Sequence, residues 1–186
     1  MKFNIGIFCL LLTIAPIEPV ALHAAVRVHV VSTDDAPQLE RFAAKELAEQ
    51  FRRLFEDVEV VAATSIPKDA KYIVLVGSPK TNRAVKDALG GKWPKVSDQG
   101  LVIKSFTDGQ RHGLIVGGGS PKATLWAAYE LGHRYGIRYL LREDIFPLKQ
   151  SPLKLDGFDV VIEPQLRTRT WRTVNDFAIG PESWPL

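Results

Sequence analysis

Apolar and polar residues along this chain switch repeatedly between a period of two and a period near 3.6, and each switch marks an element. Residues 26–32, VRVHVVS, alternate with period two and predict a first strand. From Leu39 the apolar positions move to steps of three and four. Leu39, Phe42, Ala43, Leu47, Phe51, Leu54 and Phe55 form the stripe of a long helix, with Glu40, Arg41, Lys45, Glu49, Arg52 and Arg53 on its solvated side. Asp34 and Asp35 offer the helix start, with Gln38 three residues beyond Asp35 in capping-box spacing. Residues 58–62 and 71–77, the latter KYIVLVG, predict the second and third strands. Ser78 and Pro79 then supply cap and first-turn chemistry for a second helix that stops at Gly90 and Gly91.

The stretch 111–141 carries the densest set of signals. Residues 101–106 and 112–116 flank Asp108-Gly109, the short-range mark of a tight antiparallel hairpin. Residues 113–116 are continuously apolar, as in a strand buried on both faces. Gly117, Gly118 and Gly119 are expected to break that strand, Ser120 to cap a helix, and Pro121 to occupy its first turn. Leu125, Ala128, Tyr129, Gly132 and Tyr135 recur along one buried stripe. A helical glycine costs about 1 kcal/mol against alanine, so Gly132 predicts a close approach to the sheet. Gly136 suits a left-handed helix end, and Ile137, Tyr139 and Leu141 alternate as a returning parallel strand, which would complete a right-handed βαβ unit. The expected fold class is α/β, a mixed β-sheet with helices packed on it in a two-layer or three-layer sandwich. After Pro147 and Pro152 comes a strand-like segment at 158–162. From Gln165 the chain reads QLRTRTWRTVNDFAIGPESWPL, expected to be the start of a further unit.

Composition narrows the class without changing it. The 186 residues are 46% hydrophobic and 24% charged, as in one ordinary globular domain. Lys2, the apolar run 5–14 and the small residues Ala21, Ala24 and Ala25 read as a secretory signal over residues 1–24, too short to span a bilayer. The expectation is a secreted or periplasmic protein with no membrane contact once the signal is cleaved. Cys9, the one cysteine, lies inside that signal, which leaves the mature chain without a disulfide, a thiol nucleophile or a cysteine metal site. A formal charge of +3, from 24 basic and 21 acidic residues, is too small and scattered to argue for nucleic acid.

Candidate chemistry is sparse. A glycine turn entering a helix can hold an anion through free amides, and Gly117, Gly118, Gly119 and Ser120 have that layout. Lys122 stands where the dinucleotide fingerprint needs its third glycine, and the P-loop Gly-Lys-Ser/Thr is missing, so the turn is a weak candidate and capping its ordinary explanation. Lys122 also opposes the helix dipole, which keeps an anion partner in consideration. Glu130 and His133 stand at i, i+3, but carboxylate-bridged sites use that pair twice; a solvated helix face accounts for it, and no metal or cofactor is assigned. His29 and His112 are isolated on strands. Glu143, Asp144, Asp156 and Asp159 are assigned to solvation, and no Gly-x-Ser-x-Gly elbow occurs. Trp126 lies on the central helix. Trp171, Phe177 and Trp184 lie in the tail, where the two indoles could stack on sugar rings but better fit a domain interface.

The stretch LIVGGGSPKATLWAAYELGHRYGIRYL, followed by Glu143-Asp144 and Pro147, resembles the N-terminal domain of secreted glycoside hydrolases of the α-glucuronidase and bacterial β-N-acetylhexosaminidase type. LRTRTWRTVNDFAIGPESWPL resembles the entry into the first barrel strand of those enzymes. The resemblance implies a hexosaminidase N-terminal-domain-like unit over 25–163 and a linker over 164–186 into a (β/α)8 catalytic barrel in cis. Trp171, Phe177 and Trp184 would then meet the barrel. Family catalytic acids lie at the carboxyl ends of barrel strands, beyond Leu186, so no catalytic residue is carried over. The implied role is a non-catalytic accessory domain in polysaccharide degradation, with polysaccharide a further expected partner. The alternative is a free-standing secreted module that binds carbohydrate or protein.

Overall fold

The computed structural model describes residues 25–168. The signal over 1–24 and the tail residues Trp171, Phe177 and Trp184 lie outside the described residues. The elements are β1 (Val26–Val31), α1 (Gln38–Leu54), β2 (Val58–Ala63), β3 (Tyr72–Val76), α2 (Arg83–Ala88), β4 (Leu101–Asp108), β5 (Arg111–Gly118), α3 (Pro121–Arg134), β6 (Arg138–Tyr139), β7 (Asp144–Ile145) and β8 (Asp159–Ile162). Six strands form one mixed sheet in the order β2-β1-β3-β5-β4-β8. The first four run parallel, while β4 lies antiparallel to both β5 and β8.

Both faces of this sheet are covered, which explains the continuous apolar runs at 72–76 in β3 and 113–116 in β5. Val28, Val30, Val74, Val76, Leu114 and Val116 point into a core roofed by Leu47, Phe51 and Leu54 of α1 and Ala127, Ala128 and Leu131 of α3. Val31, Ile73, Leu75 and Ile115 face the other way, onto Val85 of α2. The α/β expectation therefore holds, as three layers with a thin second helical layer. The β4–β5 hairpin also forms as read, with Asp108 opposite Arg111 and Gly109 in the left-handed region at φ +60°.

Several expectations are corrected. The segment that directly follows α3, residues 137–141, does not return to the sheet beside β5, because both edges of β5 are already taken by β3 and β4. Instead β6 pairs antiparallel with β7 in a separate two-stranded ribbon, and Leu141 is exposed. The βαβ unit is made by β1, α1 and β2, paired in parallel from Val26–Val58 to Val31–Ala63. The end of α3 itself is as expected: Gly136 at φ +98° donates to His133 O at 3.0 Å, and Ile137, fully buried, donates to Gly132 O at 2.9 Å.

Helix α1 starts at Gln38 behind Pro37, with no side-chain cap, so the Asp35 capping box does not form. Ala36 precedes a proline and is disfavoured from helical backbone, which stops the helix reaching back to Asp35. The stripe is also rotated. Glu40, Ala43, Leu47, Gln50, Phe51 and Leu54 are buried, whereas Leu39 and Phe42 stay 40% and 43% exposed. The cause is that α1 packs against α3 as well as the sheet, and the seam between the helices is polar. Thr124 Oγ1 donates to Glu40 Oε1 at 3.3 Å, Tyr129 Oη donates to Glu46 Oε2 at 3.3 Å, and Gln50 Oε1 and Tyr139 Oη crowd Gly132. Gly132 is thus a point of close approach between α3, α1 and the β6 strand, not the sheet. The deepest residues of α3 are Ala123, Thr124, Ala127, Ala128, Leu131 and Gly132; Leu125, Tyr129 and Tyr135 of the expected stripe are half-buried.

Helix α2 opens at Asn82, whose side chain accepts from Ala84 N at 3.1 Å, and not at Ser78, whose carbonyl instead closes a turn to Thr81 N and Asn82 N at 3.0 and 2.8 Å. The glycine run does not break β5, which continues through Gly118. A Cβ on Gly117 would strike the Gly77 carbonyl, on Gly118 it would strike Ala123 and the Gly100 carbonyl, and on Gly119 the Ser97 carbonyl. These glycines therefore serve close backbone packing.

Candidate functional site

In sheets of this kind a ligand sits outside the carboxyl ends of the parallel strands, where neighbouring connections leave to opposite faces. Here that place lies between β1, which leads into α1 on one face, and β3, which leads to α2 on the other. Side chains of the chain itself fill it. Asn82 Nδ2 donates to Val76 O at 3.0 Å and Val31 O at 3.3 Å, lacing the two strand ends together. Thr33 Oγ1 donates to Thr81 O at 3.0 Å, and Gly77 N donates to Val116 O at 3.0 Å, tying β3 to β5.

Glu40 enters this cluster from the first turn of α1 and is 1% exposed, as is Asn82; Thr124 is fully buried. One carboxyl oxygen takes the Thr124 hydroxyl, while Oε2 lies beside Gly77 and has no hydrogen-bond partner that meets full geometry. Burial pushes the Glu40 carboxyl above the usual carboxylate range, and the hydroxyls of Thr81 and Thr124 partly offset that push. Glu40, in the first turn of α1, and Thr124, in the first turn of α3, thus meet beside this crevice.

The glycine turn is similarly occupied. Ser120 Oγ accepts from Ala123 N at 3.2 Å and donates to Asp98 O at 2.5 Å. Gly119 N donates to Gly100 O at 2.9 Å. What residues 97–100 present to the turn is carbonyl oxygen, an acceptor, where an anion requires donors. The arrangement of Gly117, Gly118, Gly119 and Ser120 is that of a capped, tightly packed junction.

The remaining sequence candidates are dispersed. Glu130 accepts from Arg134 Nε at 2.8 Å, with His133 exposed beside it. His29 is buried in β1 with Nδ1 unpartnered, and His112 stacks on Tyr72 with ring centroids 5.9 Å apart. Asp159 pairs with Lys104, while Glu143 and Asp144 sit in the β6–β7 ribbon. Among the described residues no group of three or more His, Cys, Asp or Glu is gathered as a metal site.

Two open grooves flank α1. One, of about 600 Å³, is lined by Leu39, Asp98, Ser120, Lys122, Trp126 and Arg167 and borders a further depression past Tyr129 and Tyr139. The other, about 670 Å³, lies over the carboxyl ends of β1 and β2 between Arg41, Lys45 and Arg52 and the hydroxyls of Ser32, Thr33 and Thr64. The residue that sequence reasoning missed is Glu40, and the signal for it was present: it stands three and seven residues before Ala43 and Leu47, in phase with the buried stripe.

No family model matches the chain, and no curated protein matches it. Among solved structures it is similar to BtGH115A, described as a family GH115 4-O-methyl-α-glucuronidase with specificity for decorated arabinogalactans, at 14% identity and a TM-score of 0.48, over 62% of this chain and 14% of that one. It is also similar to CpGH84D, at 12% identity and a TM-score of 0.42, over 65% of this chain and 19% of that one. These distant structural neighbours are glycoside hydrolases, and this chain spans less than a fifth of the length of either.

Proposed function

We propose that this chain is a non-catalytic accessory α/β domain of a secreted glycoside hydrolase acting in polysaccharide degradation, of α-glucuronidase or β-N-acetylhexosaminidase type. In this reading residues 1–24 are a secretory signal, 25–163 the domain, and 164–186 the linker into a (β/α)8 barrel that Trp171, Phe177 and Trp184 meet. The observation that carries the accessory role is the filled crevice between β1 and β3. A domain of this topology that works on a ligand needs that mouth open, and here Glu40, Asn82, Thr124 and the contact of Gly117 with the Gly77 carbonyl close it. What such a closed sheet offers is a rigid body for another unit to rest on. The class of that unit comes from the resemblance of residues 114–141 and 166–186.

The test is the intact mass of the native product in the culture fluid or periplasm of its source. A product much larger than 20.7 kDa that carries these peptides is the expected outcome. A product slightly below 20.7 kDa, with the signal removed, would overturn the reading in favour of a free-standing carbohydrate- or protein-binding module. Titration with polysaccharides would then be the next measurement.

A further inference from the structure

We infer that the groove over the carboxyl ends of β1 and β2 binds a small hydroxylated anion, a polyol with one oxyanion group, such as a sugar acid or a sugar phosphate. Position is the first argument. The mouth between β1 and β3 is shut, but the connections that leave β1 and β2 stand beside α1 and keep about 670 Å³ open between them. That volume falls within the range of about 300–1,000 Å³ typical of small-molecule sites, and it lies outside the carboxyl ends of a parallel pair, as ligand sites of such sheets do. Charge is the second argument. Arg41, Lys45, Ala48 and Arg52 follow one stripe of α1, and all four line the groove. Like charges one turn apart, as at Arg41 and Lys45, oppose helix formation. Lys45 is exposed and, among the described residues, has neither an ion-pair nor a hydrogen-bond partner. Arg41 is fixed from one side, with Nη1 donating to Ala36 O at 2.7 Å and Asp34 O at 3.4 Å, while its Nε and Nη2 stay unpaired among the described residues. Arg52 is engaged by the chain itself, since Nη2 donates to Val60 O at 3.3 Å and Nη1 meets Glu49 Oε2 at 3.4 Å. Arg41 and Lys45 are therefore the cations left to meet an anion through charge-assisted hydrogen bonds.

The third argument separates a hydroxylated anion from a bare one. A bare oxyanion is held by donors alone, and this groove also presents acceptors. Asp34 lines it and forms no ion pair among the described residues, and the hydroxyls of Thr33, Thr64 and Ser65 lie at the same strand ends. The Asp34 carboxylate repels phosphate or sulfate but accepts from an alcohol O–H. Thr33 Oγ1 donates its proton to Thr81 O, so toward a ligand it acts as an acceptor. Between these groups the walls are Ala44, Ala48, Ala62 and Ala63, whose small side chains leave room for a sugar ring. This site goes beyond the accessory reading and stands or falls separately from it: titration reads the groove, whereas the intact mass reads what the chain is joined to.

Isothermal titration of the full chain with glucuronate, glucose 6-phosphate, inorganic phosphate and glucose tests the inference. At least one of the two sugar anions is expected to bind at least about tenfold more tightly than both glucose and inorganic phosphate. Which of the two binds better identifies the oxyanion as a carboxylate or a phosphate ester. Lys45→Ala should weaken that binding at least about tenfold and leave the thermal midpoint unchanged, because the side chain is exposed and unpaired. Lys122→Ala, in the other groove, should leave the binding within about twofold of the parent. No binding of either sugar anion would overturn the inference, and so would binding that Lys45→Ala leaves intact. Glucose binding as tightly as the sugar anions would remove the anion from the assignment, and inorganic phosphate binding as tightly would remove the polyol; either result overturns it.

Discussion

Glu40 is a side chain whose buried environment is at odds with its charge. Its carboxyl is enclosed, accepts one hydroxyl at 3.3 Å and has its second oxygen beside the Gly77 backbone. Because burial raises its proton affinity in the folded state, the folded chain holds that proton more tightly than the unfolded chain does. The stabilising contribution of the protonated form is complete below the unfolded carboxylate range and is lost as pH rises through the higher folded value. Glu40→Gln, which keeps the shape and removes the charge, should therefore be more stable than the parent at pH 7 by about 1 kcal/mol and indistinguishable from it near pH 4. Urea unfolding at the two pH values measures this. Equal differences at both would mean that folding does not change the proton affinity of the Glu40 carboxyl. Asn82 makes the complementary case. It is the side-chain donor to the carbonyls of both Val31 and Val76, and Asn82→Ala should cost about 2 kcal/mol by stranding two buried acceptors and removing the α2 cap. A loss below about 0.5 kcal/mol in the same unfolding measurement would show that water reaches those carbonyls.

At the scale of elements, the seam between α1 and α3 decides how the helical layer is built. Glycine in mid-helix is unfavourable by about 1 kcal/mol against alanine, so Gly132→Ala would stabilise an isolated α3. In the folded chain the added methyl would meet Tyr139 Oη and Gln50 Oε1, and the net outcome should be a loss of about 1–3 kcal/mol, read as a fall in thermal midpoint. A gain would mean that the seam can open without cost. The same seam explains which elements the sequence revealed. β1 was readable from its period-two alternation, β3 and β5 because burial on both faces leaves a continuous apolar run, and the β4–β5 turn because Asp108-Gly109 has a local conformational requirement. The phase of α1 was not readable from apolar positions alone, since α3 contributes hydroxyls that make Glu40 and Gln50 buried residues and leave Leu39 and Phe42 outside. The path after α3 was hidden for a different reason. Whether β5 has a free edge depends on the β4 hairpin and on β3, and no local pattern in 135–141 carries that information. The candidate turn at Gly117, Gly118, Gly119 and Ser120 was located correctly as a helix entry, but its close packing against residues 97–100 comes from a segment some twenty residues away.

For the whole molecule, the sheet order determines where neighbours can attach. The parallel strands carry a ligand-holding topology whose mouth is shut, and the two grooves beside α1 remain as open concave surfaces there. The accessory reading places the work of the protein in what this body supports, which the intact mass of the native product decides.

One consequence of the strand directions concerns force. Strand β4 is antiparallel to β5 and to β8, so β8 runs the same way as β1. The described chain therefore enters the sheet at one pole through β1 and leaves at the opposite pole through β8. A pull applied between these points acts along the strands, and the ladder bonds of β1 with β2 and β3, and of β8 with β4, are loaded in shear and must fail together rather than unzip singly. Resistance to extension is therefore expected to be greatest along the line that joins Val26 to Ile162.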